Sequence, residues 1–195
     1  MQVLKSQDAI SERIQLLNQP HMVKLNELVE RLRLKHPDCF VPDFDPLDGG
    51  INSEVLFLLE KPGRKTDKRY GGSGFISRDN NDSTAKATKL FLEEADIDRN
   101  KTILWNLIPT WNRTRNINKE ETVLGFKYFE ELLSILNQVK VIVLVGNKAQ
   151  KARKFIDTKK YHVVESFHPS PLVNARYPEK WDGIRNKWKS IKSLL

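Results

Sequence analysis

The hydrophobic positions of this chain fall into short continuous runs separated by stretches with helical spacing. Apolar runs of strand length occupy 55–59, 102–105 and 141–145, and a fourth run lies at 161–166. Runs without polar interruption are typical of parallel strands that are covered on both faces. Because helical patterns alternate with the runs, the sequence predicts a three-layer α/β/α fold with a central four-stranded parallel sheet.

Helices are expected before the first run and between the later ones. Residues 6–35 show helical spacing and contain Pro20, which predicts two helical pieces. Further helices are predicted at 84–95, at 119–137, in a short segment after Asn147, and in a closing segment that includes Trp181, Ile184 and Trp188. The closing tryptophans are expected to belong to the core.

The sequence also predicts the first residues of two helices and the buried face of one of them. Asn118 followed by Glu121 is a capping-box pattern, which predicts the start of the helix after it. A cap at Asp82 or Ser83 is expected for the preceding helix. The inner face of that helix is expected to include Leu90.

Composition narrows the class of protein and the kind of partner. The length of 195 residues suits one domain, with residues 1–50 as a helical extension and lead-in loop and residues 51–195 as the α/β core. A formal net charge of +8 favours a polyanionic partner. Cys39 is the only cysteine, so one chain cannot build a disulfide or a cysteine-ligated cluster. Without a signal-peptide core or a membrane-length apolar run, the protein is expected to be cytoplasmic.

Polar residues follow three of the predicted strands. Glu60, Asn106 and His168 each stand at the end of a different apolar run. Ligands of parallel sheets bind beyond the carboxyl ends of the strands, so these side chains are expected to converge on one pocket. A carboxylate can position or deprotonate a water, a carboxamide can pair with an amide-like heterocycle, and an imidazole can stabilise a developing anion.

Two loops add candidate contacts to this pocket. Phe75 lies in a glycine-rich loop, where its ring could stack on a flat ligand. His168 begins the segment Pro169-Ser170-Pro171, a stiff backbone through which no helix can run. This loop is expected to hold the imidazole at its base and to push Leu172 outward.

Each of these residues also has a structural explanation when it is taken alone. Glu60 could pair with Lys61 or Arg64, Asn106 could cap a turn, and Phe75 could belong to the core. Polar residues at three strand ends together favour a functional site over these separate explanations.

The motifs, in their order along the chain, resemble the uracil-DNA glycosylase superfamily. Leu59-Glu60-Lys61-Pro62-Gly63 resembles the glutamate-bearing first motif, and His168-Pro169-Ser170-Pro171-Leu172 resembles the second motif with its insertion leucine. Between them, Gly74-Phe75 and Trp105-Asn106 match the stacking phenylalanine and the base-reading asparagine of the family. The resemblance covers residues 52–193.

The resemblance implies excision of a flipped base, with no metal and no cofactor. Glu60 would orient the water, and His168 would stabilise the departing base anion. Phe75 and Asn106 would bind the flipped base together with the turn Pro62-Gly63.

The resemblance also implies a set of DNA contacts. Ser170 and the backbone around Gly63 would hold phosphates, and Leu172 would fill the gap that the flipped base leaves in the stack. Arg64, Lys65 and Arg78 would be further contacts to the DNA backbone.

Two departures separate this chain from the glutamate-bearing branch of the family. That branch carries four cysteines for an iron–sulfur cluster, whereas this chain has only Cys39, so the resemblance is to a cluster-free branch. Leu59 and Lys61 replace small residues beside Glu60. A charge pair between Lys61 and Glu60 would keep the carboxylate ionised and weaken it as a base, and the lysine could also narrow the pocket.

The sequence therefore predicts a monofunctional DNA glycosylase of base excision repair that removes uracil or a related deaminated base. Its expected partner is DNA containing uracil or another damaged base, and the protein is expected to be a monomer, associated with the nucleoid if its source is bacterial. Two alternatives remain open: a catalytically silent DNA-binding module with the same fold, and a nucleoside- or nucleotide-processing α/β enzyme.

Overall fold

The structure is a computed structural model that describes residues 3–195, so Met1 and Gln2 of the predicted extension lie outside the described residues. The strands are β1 (Asp43–Phe44), β2 (Val55–Leu59), β3 (Phe75–Ile76), β4 (Thr102–Asn106), β5 (Val141–Val145) and β6 (His162–Ser166). The helices are α1 (Gln7–Gln15), α2 (Val23–Lys35), α3 (Ser83–Glu94), α4 (Lys119–Ile135), α5 (Asn147–Gln150), α6 (Pro171–Arg176) and α7 (Pro178–Ile191).

The central sheet has four parallel strands in the order β4-β2-β5-β6. Helices flank the sheet, with α3 packed against α7 and α2 packed against α4. The predicted three-layer α/β/α fold with a central four-stranded parallel sheet is therefore confirmed. Strands β2 and β5 begin and end at the predicted residues, and β4 runs one residue further than predicted, to Asn106.

The register of the sheet aligns the carboxyl ends of its strands. Leu59 of β2 pairs with Asn106 of β4, and Val145 of β5 pairs with Ser166 of β6. Because all four strands run in the same direction, the residues that follow them emerge at one edge of the sheet.

Aromatic side chains fill the space between the sheet and its helices. Phe44 stacks on Trp105 with ring centroids 3.6 Å apart. Trp188 of α7 packs against Phe57 at 4.7 Å between centroids, and its Nε1 donates a hydrogen bond to Ser166 Oγ at 3.0 Å. Burial of a phenylalanine side chain contributes roughly 1.5–3 kcal/mol to the stability of a fold. Helix α7 is therefore held to the sheet both by apolar contact and by the hydrogen bond of the indole N–H. Trp188 is therefore a core residue, as expected.

Two helices begin at the predicted caps. Asn118 Oδ1 accepts from Glu121 N at 2.8 Å, and Glu121 Oε2 accepts from Asn118 N at 3.0 Å, which completes the capping box of α4. Asp82 Oδ1 accepts from Ala85 N at 3.0 Å, so Asp82 rather than Ser83 caps α3. Within residues 3–195, none of the helices combines the length with the apolar character that crossing a bilayer requires.

The predicted inner position of Leu90 is wrong. Ala87 and Phe91 of α3 are buried, whereas Leu90 is 45% exposed. The buried positions of α3 also include Thr88 and Leu92. At about 100° per residue, the centre of the buried face lies on the side of Thr88 and Leu92, and Leu90 lies beyond Ala87 on the solvent side.

The segment after His168 also differs from the prediction of a loop. Pro171 is the first residue of α6, and Ser170 caps this helix because its Oγ accepts from Val173 N at 3.3 Å. A proline fits the first turn of a helix, where its missing N–H is not needed. Leu172 therefore lies on the first turn of α6, and it is exposed as expected.

The amino-terminal extension is joined to the core by main-chain hydrogen bonds. Strand β1 pairs in parallel with β3, and Leu4 N donates to Asp79 O at 2.8 Å. Helix α2 buries Leu25, Leu28, Val29 and Leu32. Through Leu4 and β1, the extension therefore lies against β3 and the segment that leads from β3 to α3.

Candidate active site

A cavity of about 660 Å³ opens at the carboxyl ends of β2 and β4. Most of the predicted site residues line it, namely Glu60, Pro62, Gly63, Lys65, Asn106, His168, Ser170 and Leu172. The convergence of Glu60, Asn106 and His168 follows from the aligned ends of parallel strands, as the sequence predicted. We call this cavity the strand-end pocket.

Glu60 is held in place by the start of α5. Its Oε1 accepts a hydrogen bond from Lys148 N at 2.8 Å. Gly146 precedes α5 with a φ of +93°, and a Cβ at this position would lie 2.7 Å from Glu60 Oε1. A glycine is therefore needed both for this backbone conformation and for the approach of the carboxylate. Within residues 3–195, Glu60 Oε2 makes no hydrogen bond or ion pair, which leaves it available to a water.

Lys61 does not pair with Glu60, contrary to the expectation from sequence. Its Nζ donates to Glu121 Oε1 at 2.6 Å, to Asn112 Oδ1 at 2.8 Å and to Asn116 O at 3.0 Å. Lys61 lines the same pocket as Glu60, but its ammonium group is bound to the loop before α4. The ammonium group instead ties the first motif to the loop between β4 and α4.

Asn106 presents an unpaired carboxamide to the strand-end pocket. The residue is 5% exposed, and its main chain belongs to β4 opposite Leu59. Across the described residues its side chain makes no hydrogen bond. Buried carboxamides normally find protein partners, so the free donor and acceptor of Asn106 point to a ligand as the missing partner.

His168 contributes a neutral imidazole. Burial lowers the pKa of this side chain below its ordinary value, and the nearby Arg115 guanidinium lowers it further, while Glu60 acts in the opposite direction. A neutral imidazole has one donor and one acceptor nitrogen. In the part of the chain that the structure describes, neither ring nitrogen is engaged in a hydrogen bond, so the donor is free for a ligand.

Arg115 is a pocket residue that the sequence did not single out. It lines the strand-end pocket from the loop between β4 and α4, the same loop that Lys61 holds. Its guanidinium has no ion-pair or hydrogen-bond partner among residues 3–195. The available signal was the basic composition of this loop, which includes Arg113, but composition does not indicate which arginine faces the pocket.

Three of the predicted site residues do not line the strand-end pocket. Phe75 is fully buried, and the wall beside it is formed by Ile76 and Ser77. Arg64 is exposed outside the pocket, with its guanidinium 4.5 Å from the centroid of the Tyr70 ring.

Arg78, which the sequence predicts as a DNA contact, lies inside the protein in this structure. It is 5% exposed, and its Nη2 lies 3.3 Å from Asp48 Oδ1 and donates to Thr102 Oγ1. In this structure the guanidinium contacts the buried charge of Asp48 and is not exposed at the surface.

Comparison with protein families identifies the chain. A family model described as the uracil DNA glycosylase superfamily matches residues 46–192. The chain belongs to this superfamily. The match confirms the resemblance inferred from the motifs, and it excludes most of the amino-terminal extension of this superfamily member, including α1 and α2.

Solved structures of uracil-DNA glycosylases are similar to this superfamily member at low sequence identity. A provisionally assigned uracil DNA glycosylase from Methanosarcina acetivorans is 14% identical, with a TM-score of 0.49 over 72% of this chain and 92% of the other. The mimivirus uracil-DNA glycosylase is 15% identical, with a TM-score of 0.47 over 87% of this chain and 71% of the other. A comparison with curated proteins finds no match.

Proposed function

We propose that this protein is a DNA glycosylase that hydrolyses the N-glycosidic bond of uracil or a related deaminated base in DNA. The observation that carries the proposal is the convergence of Glu60, Asn106 and His168 in the strand-end pocket, with the amide and the imidazole free of partners within residues 3–195. Membership of the uracil DNA glycosylase superfamily supports the same reaction.

The target base would enter the pocket after it is flipped out of the DNA stack, at a cost of a few kcal/mol. Asn106 would then donate and accept hydrogen bonds along the edge of the base. A buried amide left unpaired is costly, so a base with the wrong pattern of donors and acceptors would be rejected. Deaminated bases carry adjacent carbonyl and N–H groups, which suit a carboxamide.

Glu60 would orient and deprotonate the water that attacks the anomeric carbon. The hydrogen bond from Lys148 N fixes one carboxylate oxygen and leaves Oε2 to orient the water. Because the bond between C1′ and the base nitrogen breaks with its electron pair on the base, positive charge develops on the sugar. A carboxylate close to C1′ also stabilises this charge. The water oxygen bonds to C1′, and its proton passes to Glu60.

His168 would stabilise the base as it leaves with that electron pair. The lowered pKa of its imidazole keeps the ring neutral at pH 7, with one N–H to donate to a base oxygen. Such a preformed donor aimed at a developing anion is typically worth about 10²–10³-fold in rate.

The rim of the strand-end pocket would bind the DNA around the flipped nucleotide. Leu172, which is 56% exposed on the first turn of α6, would fill the space left in the stack. The Ser170 hydroxyl accepts from Val173 N, so its own proton is free to donate to a phosphate. Gly63, Lys65 and Arg115 line the same rim and would contact the backbone.

The test uses end-labelled single- and double-stranded oligonucleotides that contain one uracil, one hypoxanthine or no damaged base, followed by alkali to break abasic sites. We expect cleavage at one of the damaged bases by the wild type, and its loss in Glu60→Gln and His168→Ala. The matched controls are Glu93→Gln and His162→Ala, both of exposed residues.

Two outcomes would overturn the proposal. One is the absence of any abasic site on all substrates despite salt-sensitive binding of the same oligonucleotides, which would indicate a silent binding module. The other is cleavage that persists in both Glu60→Gln and His168→Ala, which would locate the chemistry elsewhere.

A further inference from the structure

A buried arginine connects the amino-terminal extension to the interior of the protein. Arg13 lies on α1, outside the residues that match the superfamily, and it is 6% exposed. Its Nη1 bonds to Asp45 Oδ1, and its Nη2 lies 3.3 Å from Asp79 Oδ2. A helix on the outside of the fold rarely buries an arginine unless the cation is fully paired.

Arg13 is one member of a larger group of paired charges. Arg99 reaches Asp45 Oδ2 at 2.7 Å, Asp79 Oδ2 at 2.6 Å and Asp48 Oδ1 at 2.9 Å. We call the set the buried charge cluster; its members are Arg13, Asp45, Asp48, Arg78, Asp79 and Arg99. The cluster joins α1 to the segments that precede α3 and β4.

Ser77 is the point where the buried charge cluster meets the strand-end pocket. Its hydroxyl donates to Asp45 Oδ2, and its Oγ accepts from Asp79 N at 2.9 Å. The residue is 5% exposed and lines the pocket. A serine hydroxyl has one proton and two lone pairs. With the proton and one lone pair engaged, Ser77 can offer a ligand only the remaining lone pair.

The backbone that follows Ser77 is also bound by the amino-terminal extension. Leu4 N donates to Asp79 O at 2.8 Å, and Leu4 forms a parallel bridge with Asn80. Asn80 in turn donates from Nδ2 to Phe75 O at 2.9 Å and accepts at Oδ1 from Ser73 Oγ at 2.5 Å. The wall from Phe75 to Asn80 is therefore held by a main-chain bond from the extension and, within the loop itself, by the side chain of Asn80.

We infer that Arg13 and Asp45 are positioning residues for this pocket wall, and that they fix Ser77 as a hydrogen-bond acceptor toward the ligand. The amino-terminal extension would then be part of the specificity apparatus, although it lies outside the superfamily match. An acceptor-only wall favours a ligand that turns an N–H group toward Ser77. This inference rests on the proposed function only in the kinetic experiment, because the exchange experiment needs no substrate.

The first experiment measures hydrogen–deuterium exchange and needs no substrate. In Arg13→Gln, we expect the amides of residues 75–80 to exchange about tenfold faster, because local opening would no longer be opposed by the pair with Asp45. Exchange in β5 should not change. The control is Arg31→Gln, which removes a surface pair with Glu131 from α2.

A second set of variants keeps the test decisive if Arg13→Gln does not fold. Arg13→Lys retains the charge but loses the two-pronged contact, and we expect intermediate exchange over 75–80. Ser77→Ala leaves the charges of the cluster in place and removes two hydrogen bonds of the hydroxyl, so the melting temperature should fall by less than in Arg13→Gln. If 75–80 exchanges at the wild-type rate in every folded variant of Arg13, the inference is wrong.

The kinetic experiment separates this inference from the proposed function. On the oligonucleotide that the wild type cleaves, we expect Ser77→Ala and Arg13→Lys either to raise KM or to reduce the discrimination between bases. Discrimination is the ratio of kcat/KM for two bases, and both quantities are measured per folded molecule. A merely structural role would lower the active fraction and leave both quantities unchanged. Altered exchange over 75–80 in a protein without glycosylase activity would overturn the proposed function and retain the positioning role.

Discussion

The strand-end pocket and the buried charge cluster meet at Ser77, yet they differ in whether their polar side chains have partners within the protein. In the cluster, Arg13, Asp45 and Asp79 each have a charged partner within reach. In the pocket, Asn106 and His168 have none within residues 3–195. Buried polar groups normally have partners, so the free amide of Asn106 and the free imidazole of His168, which face an open pocket, suit a ligand, whereas the ion pairs of Arg13, Asp45 and Asp79 serve the fold.

The contrast between the pocket and the cluster is tested most strongly at Glu60, where the carboxylate can be neutralised without disturbing the fold. Glu60→Gln keeps an oxygen that can accept from Lys148 N but loses the charge that, in the proposed mechanism, would orient and deprotonate the water. We expect the single-turnover excision rate to fall by about 10²–10⁴-fold, with an unchanged melting temperature. A normal rate in this variant would contradict the division between the two regions.

The next effect should appear in stability and should come from the cluster. Arg99, Arg13 and Lys89 outweigh the effect of burial and hold the pKa of Asp79 below its ordinary value. This carboxylate therefore stabilises the fold above the pKa of the unfolded chain, and the contribution is lost as the pH falls through the folded value. Asp79→Asn should cost about 3–5 kcal/mol at pH 7 by urea unfolding, and less at acidic pH.

Asp48 should behave in the opposite sense within the same cluster. Complete burial raises its pKa to about 6, despite the neighbouring Arg78 and Arg99. Protonation therefore favours the folded state, so this contribution is present at pH 4 and is lost as the pH rises through about 6. Relative to the wild type, Asp48→Asn should gain stability as the pH is raised from 4 to 7. If Asp48→Asn and Asp79→Asn show the same pH trend, the two carboxylates are not distinguished as described.

A smaller effect is expected from Lys61, which joins the first motif to the loop that carries Arg115. Lys61→Met removes three hydrogen bonds from a side chain that is 4% exposed. We expect a loss of about 1–3 kcal/mol in thermal or urea unfolding, and a larger KM because Arg115 is no longer held at the pocket. Lys119→Met, at an exposed position, is the control and should change neither quantity.

The smallest expected effect is a change in the titration of His168, followed by NMR of the imidazole. The pKa should lie below the ordinary value of 6.5 because the ring is buried. Arg115→Gln should raise this pKa, because it removes a cation, and Glu60→Gln should lower it, because it removes an anion. Equal shifts of the same sign in both variants would show that the three groups do not share one pocket.

The strands and most helices could be predicted because their signals are local. The apolar runs of β2 and β5 and the capping box at Asn118 and Glu121 specify those elements without reference to the rest of the chain. Helix α6 is not predicted because prolines usually interrupt helices, although a proline after a capping serine is also a helix start.

The site was predictable only as far as the topology determines it. Parallel strands bring Glu60, Asn106 and His168 to one edge, and their order in the sequence was sufficient to expect this. Partners that lie far apart in the sequence were not predictable. Lys61 pairs with Glu121, and Arg78 with Asp48, through contacts that depend on how separate elements pack.

Gly146 shows that the placement of the Glu60 carboxylate depends on a position that has no side chain. Glu60 Oε1 would lie 2.7 Å from the smallest side chain that could be added there, and the backbone has a φ of +93°. When inherited or engineered changes to this gene are ranked for harm, a substitution at 146 belongs beside substitutions of Glu60 itself. A survey restricted to residues that carry reactive groups would overlook it.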